Sequence, residues 1–409
     1  MKTDVLKVLE ERGLVKQITH PEPLAKQLAQ RTIFYTGFDA TADSLHVGHL
    51  LPLMAMAHLR QAGHQAIALI GGGTTMIGDP SGKTEMRQML DSATISANAA
   101  AIGAQVQGIL HSIDGPEILV LNNADWLLEL NYIELLREIG VHFSVNRMLT
   151  YECFKSRMER GLSFIEFNYM LLQSYDFLTL FRRHGCRLQV GGDDQWSNII
   201  SGVDLIRRME QEEVYGLTIP LLETADGKKM GKTEAGAVWL NPEYTSPYDF
   251  YQYWRNTHDR DVNRFLKLYT FLPLEQINEA TAVQGEEINA AKELLAFAVT
   301  KLVHGEEQAI QAQKAARALF AGGREGGAIP ATQLEGERLD IGINVIDLLV
   351  ECELVASKSE GRRLIQQGGL TINGERIDDF DLVLDRSWLR DGKIALRKGK
   401  KVHHHVLCK

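Results

Sequence analysis

Short apolar runs that end in glycine constrain the fold of this chain more than any other feature. The run at 66–70 ends in three glycines (71–73), and the run at 187–190 ends in two more. Two further runs lie at 33–38 and 118–121, and helical stretches separate the runs. Strand, glycine turn and helix in repetition are typical of an α/β domain built on a parallel sheet. Ligands of such sheets bind beyond the carboxyl ends of the strands.

The rest of the chain changes character along its length. Residues 5–30 and 45–61 have helical spacing, residues 245–320 are helical and aromatic-rich, and a glycine-rich stretch follows. We therefore expect an α/β fold in four segments: a Rossmann-like, doubly wound parallel-sheet catalytic domain (1–225), a lysine-rich loop with an all-helical domain (226–320), a linker (321–340) and a small α+β module (341–409).

Bulk properties narrow the class of protein. The 409 residues carry a net charge of −9, which disfavours nucleic-acid binding by the whole surface. The segment from Ile341 to Lys409 is net basic, with 12 Lys/Arg and 10 Asp/Glu, which indicates either a local anionic partner or a solvated tail. No apolar run approaches the roughly 20 residues of a membrane span, and the first residues lack a signal-peptide core. The four cysteines are scattered, so we expect a cytoplasmic protein without a zinc or disulfide framework.

The tetrapeptide His46-Val47-Gly48-His49 follows an apolar run and opens a helix. The amides and dipole of a helix N-terminus favour phosphate, and two histidines three residues apart share one helix face. Both rings can donate hydrogen bonds to charge that develops on a phosphate. A metal pair or two structural histidines are the alternatives, although no cysteine or acid stands nearby at ligand spacing.

Two basic clusters could serve the same ligand. Lys228-Lys229-Met230-Gly231-Lys232-Thr233 follows a turn signal, and such a loop can close over a triphosphate. Lys83 and Arg87 follow a second glycine-containing turn, whose spacing does not match a Walker loop. An exposed basic loop is the alternative for both clusters.

Together these motifs resemble a known family. The histidine tetrapeptide resembles the HIGH signature of class I aminoacyl-tRNA synthetases, and residues 229–233 resemble their KMSKS loop. The surrounding sequence is most similar to the bacterial tyrosyl-tRNA synthetases, in stretches that run from about residue 10 to the end: 35–39, 42–45, 77–83, 143–146, 169–176, 188–196 and 217–221.

The resemblance implies a role for each matched residue. The substrate phenol would contact Tyr35 and Asp176. Its ammonium and carboxylate would contact Asp79, Tyr169, Gln173 and Gln195. Adenosine would lie against Gly37, Asp39, Gly48, His49, Gly192 and Asp194. The phosphates would contact Thr41, His46, Lys83, Arg87, Lys229 and Lys232. No metal site within the protein is implied.

The resemblance also implies the reaction and its partners. The carboxylate of L-tyrosine would attack the α-phosphorus of ATP, which carries Mg²⁺, and the adenylate would then be transferred to the tRNA for tyrosine. The family is a homodimer without membrane attachment. The C-terminal segment resembles a small RNA-binding module, in which Lys358, Arg362 and Arg363 would contact phosphates.

Four positions depart from the family pattern, and three alternatives remain. In the family, the position of Thr75 is usually glycine and that of Ala124 is usually aromatic. The position of Asp193 is usually small and uncharged, and we expect Asp193 to add a carboxylate near the ribose. Pro52 is tolerable only in the first turn of its helix. A tryptophanyl enzyme, a small-cofactor adenylyltransferase and a non-catalytic RNA-binding descendant are the alternatives.

Overall fold

The computed structural model describes residues 4–79, 81, 90–158, 161–225, 227, 230–233, 236–283, 285–320, 331–390, 392–399 and 402–408. Two compact units divide the chain, Met1–Ala309 and Ile310–Lys409. Among the described residues, no helix combines the length and the hydropathy required to cross a bilayer.

A sheet of six strands organises the first unit within the described ranges. Its strands are β1 Gln17–Ile18, β2 Ile33–Asp39, β3 Gln65–Gly71, β4 Leu119–Asn122, β5 Cys186–Gly192 and β6 Tyr215–Ile219. Their order is β1-β6-β5-β2-β3-β4, parallel except for β1, which runs antiparallel to β6. The order changes direction between β5 and β2, which is where a doubly wound sheet binds its ligands. The predicted fold class is confirmed.

Helices cover the sheet and continue beyond it. Those that precede β6 are α1 Val5–Arg12, α2 Pro21–Leu28, α3 Leu50–Gln61, α4 Ser92–His111, α5 Ala124–Leu127, α6 Tyr132–Glu138, α7 Val145–Met148, α8 Glu152–Met158, α9 Phe164–His184 and α10 Trp196–Glu210. After a short hairpin of β7 Lys232–Thr233 and β8 Gly236–Ala237 come α11 Pro247–Arg255, α12 Asp259–Tyr269, α13 Leu274–Ala280, α14 Ile288–His304 and α15 Glu306–Phe320.

Helix α9 shows how local sequence sets these boundaries. Ser163 caps its N-terminus by accepting from the Glu166 amide, and the Glu166 carboxylate accepts in return from the Ser163 amide at 3.1 Å. This reciprocal capping box satisfies amides that have no partner inside the helix. Gly185 ends the helix in the left-handed conformation, with φ of 67°. The helix thereby presents Tyr169, Gln173 and Asp176 from fixed positions.

Two sequence predictions need correction here. Residues 5–30 are not one helix, because Gly13 ends α1 in the left-handed conformation and β1 intervenes before α2. The helix predicted from Leu45 begins at Leu50, after a 3-10 turn over Val47–His49. That start places Pro52 in the first turn, where its missing amide costs no helical hydrogen bond.

The second unit is a small α+β module. It contains β9 Ala331–Leu334, α16 Gly336–Ile341, β10 Ile343–Asn344, α17 Val345–Glu351, α18 Lys358–Gln366, β11 Leu370–Ile372, β12 Glu375–Arg376, β13 Val383–Leu384, β14 Lys393–Lys398 and β15 Val402–Cys408. Residues 331–340, predicted as linker, are therefore ordered secondary structure. β9 pairs in parallel with β15, so a strand partner distant in sequence sets its conformation.

Candidate active site

A cleft of about 480 Å³ opens at the carboxyl ends of β2 and β5. Gly37 and Asp39 of β2 and Gly191 and Gly192 of β5 line it, so it lies where the strand order changes direction. A Cβ built on Gly37 would meet nothing within 4 Å, which leaves open space above this backbone. The sheet therefore places a ligand-sized cavity at the position that the topology predicts.

Asp176 is the most buried carboxylate of the cleft. It is 2% exposed and accepts two hydrogen bonds, from Trp126 Nε1 at 2.7 Å and Asn123 Nδ2 at 2.9 Å. Burial raises the pKa of Asp176 to about 7, opposed by these two donors and assisted by the charge of Asp39. Burial destabilises the ionised form of this carboxylate, and its two donors fix its orientation. It is therefore suited to accept one more hydrogen bond from a ligand.

Five residues that line the cleft, Thr36 and Tyr269 among them, carry a buried polar atom with no hydrogen-bond partner within the described part of the chain. The other three atoms are the Tyr35 hydroxyl, Gln173 Oε1 and Gln189 Oε1. Burial and the charge of Asp176 raise the pKa of the Tyr35 phenol, which therefore stays protonated. Buried polar atoms cost about 1–3 kcal/mol each when unpaired, so this group points to a polar ligand.

A second carboxylate, Asp79, lies in the same cleft. Its oxygens accept from the Ser81 amide at 2.9 Å and from Gln195 Nε2 at 2.7 Å. Burial, followed by the charge of Asp39, raises the pKa of Asp79 despite these hydrogen bonds. Tyr169, which the resemblance assigns to the same ammonium group, donates to Asp39 Oδ1 at 3.3 Å. Two close carboxylates favour a cation between them.

The histidine tetrapeptide forms a tight turn with defined ring orientations. The Gly48 amide donates to His46 Nδ1 at 3.0 Å, and the His46 amide donates to His49 Nδ1 at 3.1 Å. Since both Nδ1 atoms accept, the neutral rings carry their proton on Nε2. The ring centroids are 4.1 Å apart, and both residues line the cleft. The turn thus offers two Nε2–H donors side by side.

The described part of the lysine loop packs directly on this turn. A Cβ on Gly231 would lie 3.1 Å from the Gly48 amide, and Gly231 has a φ of 81° that favours glycine. The Gly231 amide donates to the Tyr253 hydroxyl at 3.2 Å. A Cβ on Gly48 would lie 2.7 Å from His46 Cε1, so this glycine accommodates the His46 ring. The two signature motifs are therefore neighbours in space.

Asp193 and Asp194, adjacent in sequence, have separate environments. Asp194 lines the cleft, and burial with the charge of Asp79 raises its pKa. The Asp193 carboxylate instead accepts from Gln17 Nε2 at 2.7 Å and Thr218 Oγ1 at 2.9 Å. Strands β1 and β6 therefore hold the Asp193 side chain, which does not line the cleft, although its charge also helps to raise the pKa of Asp194. That Asp193 adds a carboxylate near the ribose stays a prediction.

Comparison with known proteins agrees with this geometry. Residues 26–321 match the family model of class I tRNA synthetases for tryptophan and tyrosine (W and Y), and residues 326–406 match the C-terminal domain of tyrosine–tRNA ligases. The tyrosine–tRNA ligases of Acetivibrio thermocellus and Caldanaerobacter subterraneus are each 56% identical to this chain, over 99% of both sequences. The chain belongs to the tyrosine–tRNA ligase family of class I aminoacyl-tRNA synthetases.

A solved structure supports the same assignment. The truncated mitochondrial tyrosyl-tRNA synthetase of Aspergillus nidulans superposes with a TM-score of 0.69 at 32% identity, covering 78% of this chain and 94% of that one. The relatives named above act on tyrosine, which sets aside the tryptophanyl alternative. An adenylyltransferase for a small cofactor would also not account for the C-terminal match at 326–406.

The synthetase cleft collects most of the residues that the sequence singled out. Lining residues include Tyr35, Gly37, Asp39, His46, Gly48, His49, Asp79, Tyr169, Gln173, Asp176, Gly192, Asp194 and Gln195. Thr41 is exposed on the loop before His46 and does not line the cleft. Lys83, Arg87, Lys229 and the Lys232 side chain lie outside the described residues.

Sequence reasoning missed two polar residues that line the cleft, Asn123 and Gln189, and one buried residue beside it, Trp126. Asn123 and Trp126 orient Asp176, and Gln189 pairs with Tyr35 across β5 and β2. Asn123 directly follows β4. Because ligands bind beyond the carboxyl ends of the strands, its position could have indicated a role in the site. Trp126 had no such signal, because a tryptophan in a helix reads as core.

In the C-terminal module, the three predicted RNA-binding residues lie on α18. Lys358, Arg362 and Arg363 are exposed. Lys358 Nζ is 2.5 Å from Asp347 Oδ1, and the Arg362 guanidinium lies 6.0 Å from the centre of the Phe380 ring. These three residues, called the basic cluster below, are therefore exposed on one helix of the module.

Proposed function

We propose that this chain activates L-tyrosine with ATP in the cleft, releases pyrophosphate, and transfers tyrosine to the 3′ end of its tRNA. The observation that carries the proposal is the pairing of an ionisable acceptor, Asp176, with an unpartnered donor, the Tyr35 hydroxyl. A phenol needs both, because its oxygen accepts while its proton is donated. Phenylalanine would leave both groups buried and unpaired.

The ammonium and carboxylate of tyrosine have complementary partners nearby. We assign the ammonium to Asp79 with Tyr169 and Gln173. Burial and the charge of Asp39 destabilise the ionised Asp79 carboxylate, and a bound cation would stabilise it. Gln195 donates to Asp79 and lies within reach of the same end of the substrate. Gly37, Asp39, Gly192 and Asp194 then form the adenosine side.

In the first step, a tyrosine carboxylate oxygen forms a bond to the α-phosphorus as the bond to the bridging β-oxygen breaks. The electron pair of that bond leaves with pyrophosphate. His46 and His49 donate their Nε2–H groups to the charge that develops on the phosphates, so the protein needs no nucleophile of its own. Thr41, Lys83, Arg87, Lys229 and Lys232 are assigned to the departing pyrophosphate. Mg²⁺ arrives on the triphosphate as part of the substrate.

In the second step, a terminal ribose hydroxyl of the tRNA attacks the carbonyl carbon of the adenylate, and AMP leaves. The basic cluster Lys358, Arg362 and Arg363 binds tRNA phosphates, and the helices of 226–320 approach the anticodon. Reversing the charge of Arg362 and Arg363 together should impair tRNA charging but spare pyrophosphate exchange. Equal loss of both activities would contradict the RNA assignment.

We propose that exposed apolar side chains of residues 128–164 together form the surface of a homodimer. They are Leu128, Tyr132, Ile133, Leu136, Val141, Val145, Met158 and Phe164. Ile133 and Val141 are 68% and 71% exposed, and a patch of this kind marks an interface. Ile133→Asp should yield a monomer in sedimentation. Ile341→Asp should not, because Ile341, which is 85% exposed, lies in the other unit. A dimer that survives Ile133→Asp would refute this surface.

The reaction itself is tested by ATP–pyrophosphate exchange with each standard amino acid, in the cytoplasmic salt and pH where we propose that the enzyme works. Tyrosine alone should support exchange. His46→Ala should depress exchange far more than tyrosine binding, because its contact forms with the phosphates. Exchange that depends on another amino acid would refute the substrate, and an equal loss of both in His46→Ala would refute the role of His46.

A further inference from the structure

The loop of residues 40–45 connects the end of β2 to His46, and Thr41 lies on it. Its first residue, Ala40, is fully buried, and side chains hold both of its peptide groups. The Ala40 amide donates to Thr75 Oγ1 at 2.8 Å, and its carbonyl accepts from Asn98 Nδ2 at 3.0 Å. Thr75, a departure from the family pattern, thus has a defined contact at the start of this loop.

The other end of the loop is held by Gln105. Its Oε1 accepts from the Leu45 amide at 2.8 Å, and its Nε2 donates to Ser44 Oγ at 3.2 Å. Ser44 Oγ also donates to the Leu45 carbonyl at 2.8 Å and accepts from the Asn241 amide at 3.2 Å. Gln105 therefore anchors the residue directly before His46.

Asn98 and Gln105 lie on the same helix, α4, seven residues apart. Seven residues are two helical turns, so both side chains project from one face. One rigid face of α4 consequently grips the two ends of the 40–45 loop and leaves Thr41 between them. Residues 238–240 hold the same segment from another direction. The Leu240 amide donates to the Leu45 carbonyl at 2.8 Å, and the Val47 amide donates to the Val238 carbonyl at 2.9 Å.

The segment so anchored continues to the lysine loop. The Val238 amide donates to the Gly231 carbonyl at 3.0 Å, so the backbone after the lysine loop is paired both with it and with the histidine turn. Gln105 is connected to this hydrogen-bonded segment through Ser44 and Leu45. Among the described residues, the hydrogen bonds of Gln105 go to Ser44 and Leu45 and not to Asp176, Asp79 or Tyr35.

We propose that Asn98 and Gln105 are positioning residues for the pyrophosphate-releasing step, because they fix the loop that carries Thr41 and His46 relative to the nucleotide. The proposal rests on the function proposed above. It separates two sets of residues: those on α4 set the geometry of the phosphate side, whereas those on α9 and β2 set the tyrosine side. A misplacement of about 1 Å at such a loop costs on the order of 100-fold in rate.

The test compares Gln105→Ala with Gln107→Ala, which removes an exposed glutamine from the same helix. Single-turnover adenylate formation should fall about 10- to 100-fold in Gln105→Ala. The tyrosine Kd from equilibrium dialysis should stay within about twofold, since the tyrosine contacts are elsewhere. Gln107→Ala should change neither, and Gln105→Glu, which retains the acceptor for Leu45, should recover part of the rate.

A rate for Gln105→Ala within about twofold of the parent would overturn the proposal, as would a tyrosine Kd that rises in proportion to the loss of rate. Should Gln105→Ala not fold, Asn98→Ala carries the test at the other end of the loop with the same criteria. His46→Ala is measured in parallel. If His46→Ala retains its rate, the proposed chemistry is wrong. If His46→Ala loses it and Gln105→Ala does not, the positioning role alone is wrong.

Discussion

We expect the Asp176 carboxylate to make the protein specific for tyrosine but to lower the stability of the folded state. Its pKa rises from 3.8 to about 7 on folding, mainly through burial. A raised carboxyl pKa means that the folded state binds more protons than the unfolded state, so stability falls as pH rises from 3.8 to about 7. The full penalty above pH 7 is about 4 kcal/mol, since one pKa unit is about 1.4 kcal/mol.

Asp176→Asn removes this penalty while keeping the shape of the side chain. The new carbonyl oxygen can still accept from Trp126 Nε1, but the new amide faces Asn123 Nδ2, another donor. Losing that hydrogen bond costs about 1–3 kcal/mol. At pH 8 the variant should therefore be about 1–3 kcal/mol more stable than the parent, and inactive with tyrosine.

Urea unfolding at pH 5 and pH 8, followed by tryptophan fluorescence, measures the effect. The stability difference between variant and parent should grow by about 2–3 kcal/mol between the two pH values, because the hydrogen-bond loss is common to both. Asp125→Asn is the matched control, since Asp125 is exposed on the neighbouring helix α5. A difference that is the same at pH 5 and pH 8, or a variant less stable at pH 8, would refute the reasoning.

The same charge affects substrate binding. A phenol that donates to Asp176 favours the ionised carboxylate and lowers its pKa in the complex. Tyrosine affinity should then rise with pH up to about 7, where the carboxylate of the free enzyme ionises. The ammonium at Asp79 acts in the same direction, because burial and Asp39 raise the pKa of that carboxyl too.

Three further outcomes follow from the contacts. Gly48→Ala should slow adenylate formation at least about tenfold with unchanged tyrosine binding, because the added Cβ would lie 2.7 Å from His46 Cε1 and displace the ring; single-turnover kinetics measures it. Tyr35→Phe should reduce the preference for tyrosine over phenylalanine by about tenfold, the worth of one hydrogen bond, in the ratio of kcat/KM for exchange. Ser163→Ala should cost about 1 kcal/mol of stability by removing the α9 cap, seen as a lower Tm.

Much of the fold could be predicted because its signals are local. The buried strands β2, β3 and β5 are short apolar runs, and two of them end in glycine. Strands β1 and β9 could not be predicted in this way. β1 has two residues and forms because β6 offers it an edge, and β9 forms because β15 does. Pairing between residues so distant leaves no periodic pattern in a short segment.

The site was predictable to a similar extent and for the same reason. Residues such as His46 and Asp176 lie in short sequence motifs that can be read without the structure, and both line the cleft. What orients them comes from elsewhere in the chain: Trp126 holds Asp176, and Gln105 holds the loop before His46. A glutamine within an Ala-rich helix has no distinguishing spacing. Only the packing of α4 against the loop gives it a role.

The electrostatics of the cleft connect specificity to the chemistry. Asp39 raises the pKa of both Asp79 and Asp176, and Asp79 raises that of Asp194, so four carboxylates oppose one another in one cavity. A triphosphate entering this field alone meets like charge. In the binding mode proposed above, the ammonium of tyrosine neutralises part of this charge at Asp79, and the phenol stabilises the charge that remains on Asp176. Binding of the amino acid therefore prepares the cleft for ATP, and the residues that select tyrosine also remove the electrostatic barrier to its activation.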